Sequence, residues 1–129
     1  MIQDYWVTQE LLVTRYQGDV TGEALIDSSL AKSGDARLDN IQFIVGDWRD
    51  TRAISLTPDD VEALVACLSP ISRICPEAKA CTIVKPDSTG NALAAYYRML
   101  CDELSWDVEV VHSMEEAYEW FGLPYTSPY

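Results

Sequence analysis

Runs of hydrophobic residues in the first third of the chain predict three β-strands. Residues 2–7 and 11–16 are rich in β-branched and aromatic side chains, are separated by a short polar break and are typical of a hairpin. Residues 17–20 then read as a loop. A third run, 41–45, is apolar at nearly every position, which is typical of a strand covered on both faces. The pattern predicts a hairpin followed by the central strand of a sheet.

Apolar residues at helical spacing, preceded by capping residues, predict four helices. Thr21 caps the first, which runs to about residue 33. Residues 57–60, Thr-Pro-Asp-Asp, combine a cap, a proline in the first turn and acids that the helix dipole favours. Pro70 should kink or split this second helix. A third helix, carrying Leu93 to Leu104, is expected after a turn over 85–90, and a fourth is expected to follow Ser113 and end at Gly122.

Adding strands at 79–84 and 107–111 gives the element order ββαβαβαβα. Such alternation after a hairpin predicts an α/β fold with a mixed, mostly parallel sheet covered by helices. No repeat or linker divides the chain, so we expect one domain over 1–122 and an extended tail over 123–129. The tail either docks on its own domain, docks on a neighbouring copy or stays disordered.

Composition removes several classes of function. The 129 residues are 48% hydrophobic, enough for one core. Lys and Arg total 9 against 21 Asp and Glu, a formal net charge of -12. That charge disfavours binding to nucleic acid and docking on anionic membranes. The sequence has neither a signal-like start nor an apolar run long enough for an integral membrane protein, so we expect a cytoplasmic protein.

The residue types that carry catalysis are not arranged in a recognisable site. Cys67, Cys75, Cys81 and Cys101 lack C-x-x-C spacing and lie in apolar stretches, which predicts reduced core cysteines rather than metal ligands. The one histidine has no nucleophile motif beside it, and the glycines are scattered singly rather than in a phosphate-binding loop. We expect a protein that is not an enzyme and has no metal or cofactor.

Several short stretches resemble one bacterial family. They are residues 15–21 (RYQGDVT), 43–48 (FIVGDW), 56–61 (LTPDDV), 106–111 (WDVEVV) and 117–121 (AYEWF). Together with the order of elements they are similar to the SpoIIAA-like proteins, which are grouped with STAS and CRAL-TRIO-type folds. The resemblance implies a single STAS/SpoIIAA-like α/β domain with a regulatory or ligand-binding role rather than an enzymatic one.

The same resemblance implies a phosphoacceptor. STAS antagonists are switched by phosphorylation of a Ser or Thr at the start of the helix after the central strand, and the matching segment makes Thr51, Ser55 and Thr57 the candidates. Free N–H groups at a helix N-terminus can stabilise a phosphate. The acids at 50, 59 and 60 would repel it, and the alternative is that Thr57 serves only as a helix cap.

Asp47 and Lys85 suggest another kind of switch. Each follows a predicted parallel strand, as the acceptor aspartate and the lysine do in receiver domains, and the ends of such strands share one edge of a sheet. Residues 7–9 lack the acids that would hold Mg²⁺ there. We therefore favour an Asp47–Lys85 ion pair, or two solvated charges, while Asp47 remains a candidate phosphoacceptor.

Aromatic residues supply the candidate binding surface. Tyr96 and Tyr97 are adjacent in a predicted helix, so one of them points away from the core. Trp48 falls in the predicted loop after the central strand, and Tyr125 falls in the tail. With Lys85, we predict that Trp48, Tyr96 and Tyr125 contribute to binding. Three interpretations stay open: contact with a protein partner or a second copy, a pocket for a small apolar or lipid-like ligand, or simple cover for the edge of the core.

Overall fold

Strands and helices alternate along residues 1–86 and 88–129, the part of the chain that the computed structural model describes. The strands are β1 (Ile2–Trp6), β2 (Leu11–Thr21), β3 (Phe43–Ser55), β4 (Lys79–Ile83) and β5 (Asp107–Val111). The helices are α1 (Gly22–Lys32), α2 (Pro58–Ile74), α3 (Ser88–Leu100) and α4 (Met114–Phe121). Short 3₁₀ turns follow α1 and α3. The predicted element order is confirmed.

The five strands form one sheet in the order β1-β2-β3-β4-β5. β1 pairs with β2 antiparallel, and the remaining pairs are parallel. This arrangement confirms the predicted mixed, mostly parallel sheet and places β3 at its centre. The carboxyl ends of β2, β3, β4 and β5 therefore face the same edge.

Different helices cover the two faces of the sheet. Val13 and Val45 point to one face and pack with Tyr118 of α4. Leu12 and Ala80, one residue out of phase with the first set, point to the other face, which α1, α2 and α3 cover. Successive side chains of a strand alternate between faces, so a strand buried on both sides is apolar at nearly every position. This burial explains the run at the start of β3.

β2 and β3 extend well beyond their predicted ends. Residues 17–20, expected to form a loop, continue β2 to Thr21, and the segment after Val45, also expected to be a loop, continues β3 to Ser55. The two extensions pair with each other from Gln17 opposite Asp50 to Thr21 opposite Ser55, with register shifts along the way. The loop predictions at both places are wrong.

Ion pairs between neighbouring strands hold these extensions together. The Arg15 guanidinium lies 2.8 Å from the Asp50 carboxylate, and that of Arg52 lies 3.0 Å from Asp19. Gly18 has a φ of 69° at the irregular part of the ladder, a conformation that favours glycine. Because these residues are polar, a search for apolar runs stops before the strands do.

The predicted starts of α1 and α4 are confirmed, whereas α3 begins at Ser88, within the predicted turn, and ends at Leu100, before Leu104. The Thr21 hydroxyl accepts a hydrogen bond from the Ala24 N–H at 3.2 Å, and that of Ser113 accepts one from the Glu116 N–H at 3.1 Å. Gly122 ends α4 with a left-handed φ of 77°. The predicted split at Pro70 does not occur, because α2 runs through it to Ile74 with buried residues on either side.

The residues after α4 dock on their own domain. Leu123 packs against the core beneath α4, and the Tyr125 ring meets the Tyr118 ring edge to face, with the centroids 5.4 Å apart. Farther along, the Tyr129 ring lies 4.9 Å from the Tyr5 ring of β1, and the Arg15 guanidinium sits 4.3 Å from its centroid. Aromatic and cation–π contacts thus fix the tail on the α4 side of the sheet.

Asp47 anchors the end of the tail. Its side chain is fully buried within β3, where it accepts two 2.9 Å hydrogen bonds from the Arg49 guanidinium and one of 2.6 Å from the Tyr129 hydroxyl. The predicted Asp47–Lys85 pair is wrong, since the Lys85 ammonium instead donates to the Thr51 carbonyl at 2.9 Å. Burial alone would raise the pKa of Asp47, but the bonds from Arg49 and Tyr129 outweigh burial and hold it below its usual value.

We predict that Tyr129→Phe destabilises the fold by about 1 kcal/mol at neutral pH, because a buried carboxylate loses one donor while the ring contacts remain. Since the pKa of Asp47 is lowered in the folded state, its charge stabilises the fold above the unfolded-state pKa of about 3.9 and that contribution is lost as the pH falls through the folded-state value. The difference between the two proteins should therefore shrink in acid.

Urea denaturation at neutral and acidic pH measures this effect. Tyr125→Phe is the matched control, because Tyr125 is 47% exposed and the loss of its hydroxyl leaves the hydrogen bonds to Asp47 intact. Equal stability losses for the two variants, or a loss for Tyr129→Phe that does not change with pH, would contradict the assigned bond.

Candidate functional site

The connection between β3 and α2 lies at the carboxyl edge of the parallel strands. Ser55 ends β3, and Thr57 immediately precedes α2. Both residues are exposed. In open α/β sheets ligands bind at this edge, because strand ends and helix N-termini meet there.

Thr57 closes the start of α2 through a reciprocal pair of hydrogen bonds. Its hydroxyl oxygen accepts from the Asp60 N–H at 3.2 Å, and its own N–H donates to the Asp60 carboxylate at 2.9 Å. Pro58 occupies the first turn, where its missing N–H costs nothing. The predicted cap is confirmed, and Thr57 and Asp60 together form a capping box.

Asp60 also touches the start of α1. Its carboxylate lies against Gly22, the first residue of α1, so closely that a β-carbon on Gly22 would overlap the carboxylate atoms. The reason for glycine here is space, since its φ lies outside the left-handed region. One carboxylate therefore lies at two helix N-termini, and both favour negative charge.

Thr51 and Lys85 stabilise the extension of β3. Thr51 is buried, and its hydroxyl donates to the Trp48 carbonyl at 2.7 Å. Its carbonyl accepts the Lys85 ammonium. The Thr51 hydroxyl is thus committed inside the fold, and Lys85 ties the segment after β4 to β3.

The predicted aromatic binding residues are placed on different parts of the surface. Trp48 lies in β3 rather than in a loop and stacks on Tyr16, with ring centroids 3.9 Å apart and planes 13° apart, on the face covered by α1 to α3. The Tyr96 hydroxyl on α3 donates to the Glu62 carboxylate of α2. Tyr125 lies on the opposite, α4 side. These three aromatics do not form one surface.

Cysteines and acids offer little further chemistry. Cys75, Cys81 and Cys101 are buried and Cys67 is half-buried. Burial raises the pKa of the Cys81 thiol to about 12, which makes the thiolate inaccessible at neutral pH. Within residues 1–86 and 88–129, no three His, Cys, Asp or Glu side chains are grouped as a metal site.

None of the helices that the structure describes is long and apolar enough to cross a membrane.

Sequence reasoning missed Arg49 and Tyr129 as the partners of Asp47. Arg49 could have been found, because residues two apart in a strand share a face and the pair follows once β3 is known to continue. Tyr129 lies 82 positions away in sequence and gives no local signal. The contact of Asp60 with Gly22 was missed for the same reason.

Comparisons with known proteins identify a fold. No family model matches the chain, and no curated protein matches it. The structure of the anti-sigma factor antagonist SpoIIAA in its unphosphorylated form matches at a TM-score of 0.60 and 15% identity, covering 97% of this chain and 100% of that one.

Two further structures are similar. The phosphorylated form of the Bacillus cell fate determinant SpoIIAA matches at a TM-score of 0.58 and 16% identity, over 94% of this chain and 99% of that one. A chain from the crystal structure of the diguanylate cyclase SiaD in complex with its activator SiaC from Pseudomonas aeruginosa matches at a TM-score of 0.48 and 15% identity. The match covers 87% of this chain and 90% of that one. The two SpoIIAA structures agree with the resemblance seen in the sequence, and this chain has the SpoIIAA fold.

Proposed function

We propose that this chain is a non-enzymatic regulatory module that binds a protein partner, and that phosphorylation of Thr57 switches the binding. The fold it shares with SpoIIAA, an anti-sigma factor antagonist with an unphosphorylated and a phosphorylated form, supports this role. The observation that carries it is the exposed Thr57 hydroxyl at the N-terminus of α2, directly after the central strand.

Thr57 is favoured over the other candidate acceptors by accessibility and position. The Thr51 hydroxyl is buried and bonded to the Trp48 carbonyl. Asp47 is fully buried and already has two partners. Ser55 is exposed but belongs to β3, so it lacks the helix N-terminus that would stabilise a phosphate.

A phosphate on Thr57 would stand beside the Asp60 carboxylate, its partner in the reciprocal cap. It adds a charge of about −1.5 to −2 and three acceptor oxygens. The Asp60 carboxylate, which accepts the Thr57 N–H, would then face a like charge and be expelled from the cap. Because that carboxylate also lies against Gly22, its departure would change the surface of both α1 and α2.

The partner should carry basic groups. Glu23 and Asp59 stand exposed in the first turns of α1 and α2, so the edge around Thr57 is acidic before any phosphate is added. Complementary charge on the partner would favour association. Binding to a second copy of this chain is disfavoured at this edge, because like charges would face each other.

Phosphopeptide mapping of the protein taken from its native cells tests the modification. We expect phosphate on Thr57, with a workup that preserves acyl phosphates so that Asp47 is examined equally. Phosphate on Ser55 or Asp47 instead, or none on the segment 47–57, would contradict the assignment.

Affinity capture from the same cells tests the switch. A partner held by the wild-type protein and by Thr57→Ala should bind at least about tenfold more weakly to Thr57→Glu, a loss of about 1.4 kcal/mol, because the added carboxylate displaces that of Asp60 and changes the surface of α1 and α2. Thr126→Glu, an equal charge on the exposed tail, is the matched control and should bind normally. A partner bound equally by both glutamate variants, or a dimer in light scattering that Thr57→Glu abolishes, would overturn the proposal.

Gly22→Ala should reproduce the structural part of the switch without a phosphate. The added β-carbon displaces the Asp60 carboxylate, so the fold should lose about 1 kcal/mol through its broken cap. Urea denaturation measures this, with Gly34→Ala as control because its β-carbon meets open space. In an Asp60→Ala background the Gly22→Ala cost should largely vanish; an undiminished cost would show that Asp60 is not the group displaced.

A further inference from the structure

A cavity of about 140 Å³ lies between the sheet and the helices α1, α2 and α3. It is on the opposite face of the sheet from α4 and the tail, and it is separate from the Thr57 cap. Protein interiors are close-packed, so a void of this size is uncommon in a domain this small. Half-buried side chains, among them Trp48, Leu56 and Leu93, belong to its wall and give it a rim at the surface.

The cavity follows from a row of small residues across the three central parallel strands. Thr14 of β2 pairs with Gly46 of β3, and Gly46 pairs with Thr82 of β4, all on the face toward α1 to α3. The adjacent row on one side carries Leu12 and Ile44. Bulky neighbours keep the helices away from the sheet, and the small row leaves the space beneath them unfilled.

Most of the wall is apolar and part of it is aromatic. The stacked rings of Tyr16 and Trp48 form one side, and Tyr97 and Trp106 contribute from α3 and from the segment before β5. Aromatic walls favour an aromatic guest, since rings meet edge to face at little entropic cost. An apolar cavity of about 150 Å³ is known to take up benzene, so the volume fits a single ring and is too small for a long acyl chain.

One end of the cavity is polar but has no net charge. The Thr14 hydroxyl lines the cavity and donates to the Asp4 carboxylate at 2.8 Å, which leaves its oxygen able to accept a bond. The Lys32 ammonium, also at the wall, pairs with the same carboxylate at 3.2 Å. Because Asp4 compensates Lys32, this end suits a neutral hydroxyl or amine better than an anion.

We propose that this cavity binds a small neutral molecule with one aromatic ring and one polar substituent, with the ring over Gly46 and the substituent at Thr14. This narrows the small apolar or lipid-like ligand considered from the sequence. It does not depend on phosphorylation of Thr57, and either proposal can fail without the other.

Thermal unfolding with phenol tests the site. At a concentration of roughly ten times its Kd, phenol should raise the Tm of the wild-type protein by about 5 °C. Gly46→Val should abolish this shift, because its methyl groups fill the floor of the cavity. A β-carbon at Gly46 meets Tyr16 and Trp48 at ordinary contact distances of 3.6 and 3.5 Å, so the variant should fold. Gly34→Val, in open space, is the matched control and should keep the shift.

Thr82→Ile fills the same row from the neighbouring strand and guards against an unexpected folding defect in Gly46→Val. Isothermal titration with phenol, benzene and decanoate separates the ligand classes. We expect phenol to bind more tightly than benzene and decanoate not to compete. Equal phenol shifts in wild-type and both filled variants, no binding of any aromatic probe to the wild type, or tighter binding of decanoate than of phenol would each overturn the proposal.

Discussion

The long parallel pairing of β2 with β3 is the constraint on which the rest of the structure depends. It continues from the apolar core into polar sequence, as far as Thr21 opposite Ser55. Because the two strands end together, α1 and α2 begin side by side. One carboxylate, that of Asp60, therefore lies at both helix N-termini. A shorter ladder would leave Thr57 at the end of a loop, without a fixed neighbour.

Alternation along β3 divides the molecule into two surfaces. Asp47 and Arg49 face the α4 side, where they hold Tyr129 of the tail. Gly46 and Trp48 face the other side and belong to the cavity wall. A single strand thus fixes the tail and shapes the cavity, while its end sets the position of α2.

Local chemistry explains which parts of the fold could be predicted from the sequence. The caps at Thr21, Thr57 and Ser113 depend on residues within three positions, so both the caps and the order of elements were predictable. The extension of β3 was not, because much of its sequence is polar and ion pairs such as Arg15–Asp50 and Arg52–Asp19 join the two strands there. The same holds for the candidate sites: Thr57 was found by its cap, whereas the cavity depends on the register of three strands.

The distribution of charge explains how a chain with a net charge of -12 sustains this packing. Acids stand in the first turns of α1, α2 and α4, where the helix dipole favours them. Arginines 15, 37, 49, 52 and 98 each pair with an acid. These acids are therefore used locally, at helix starts and in ion pairs. Asp60 differs, because its one carboxylate lies at the N-termini of both α1 and α2, so a second negative group on Thr57 would face it at close range.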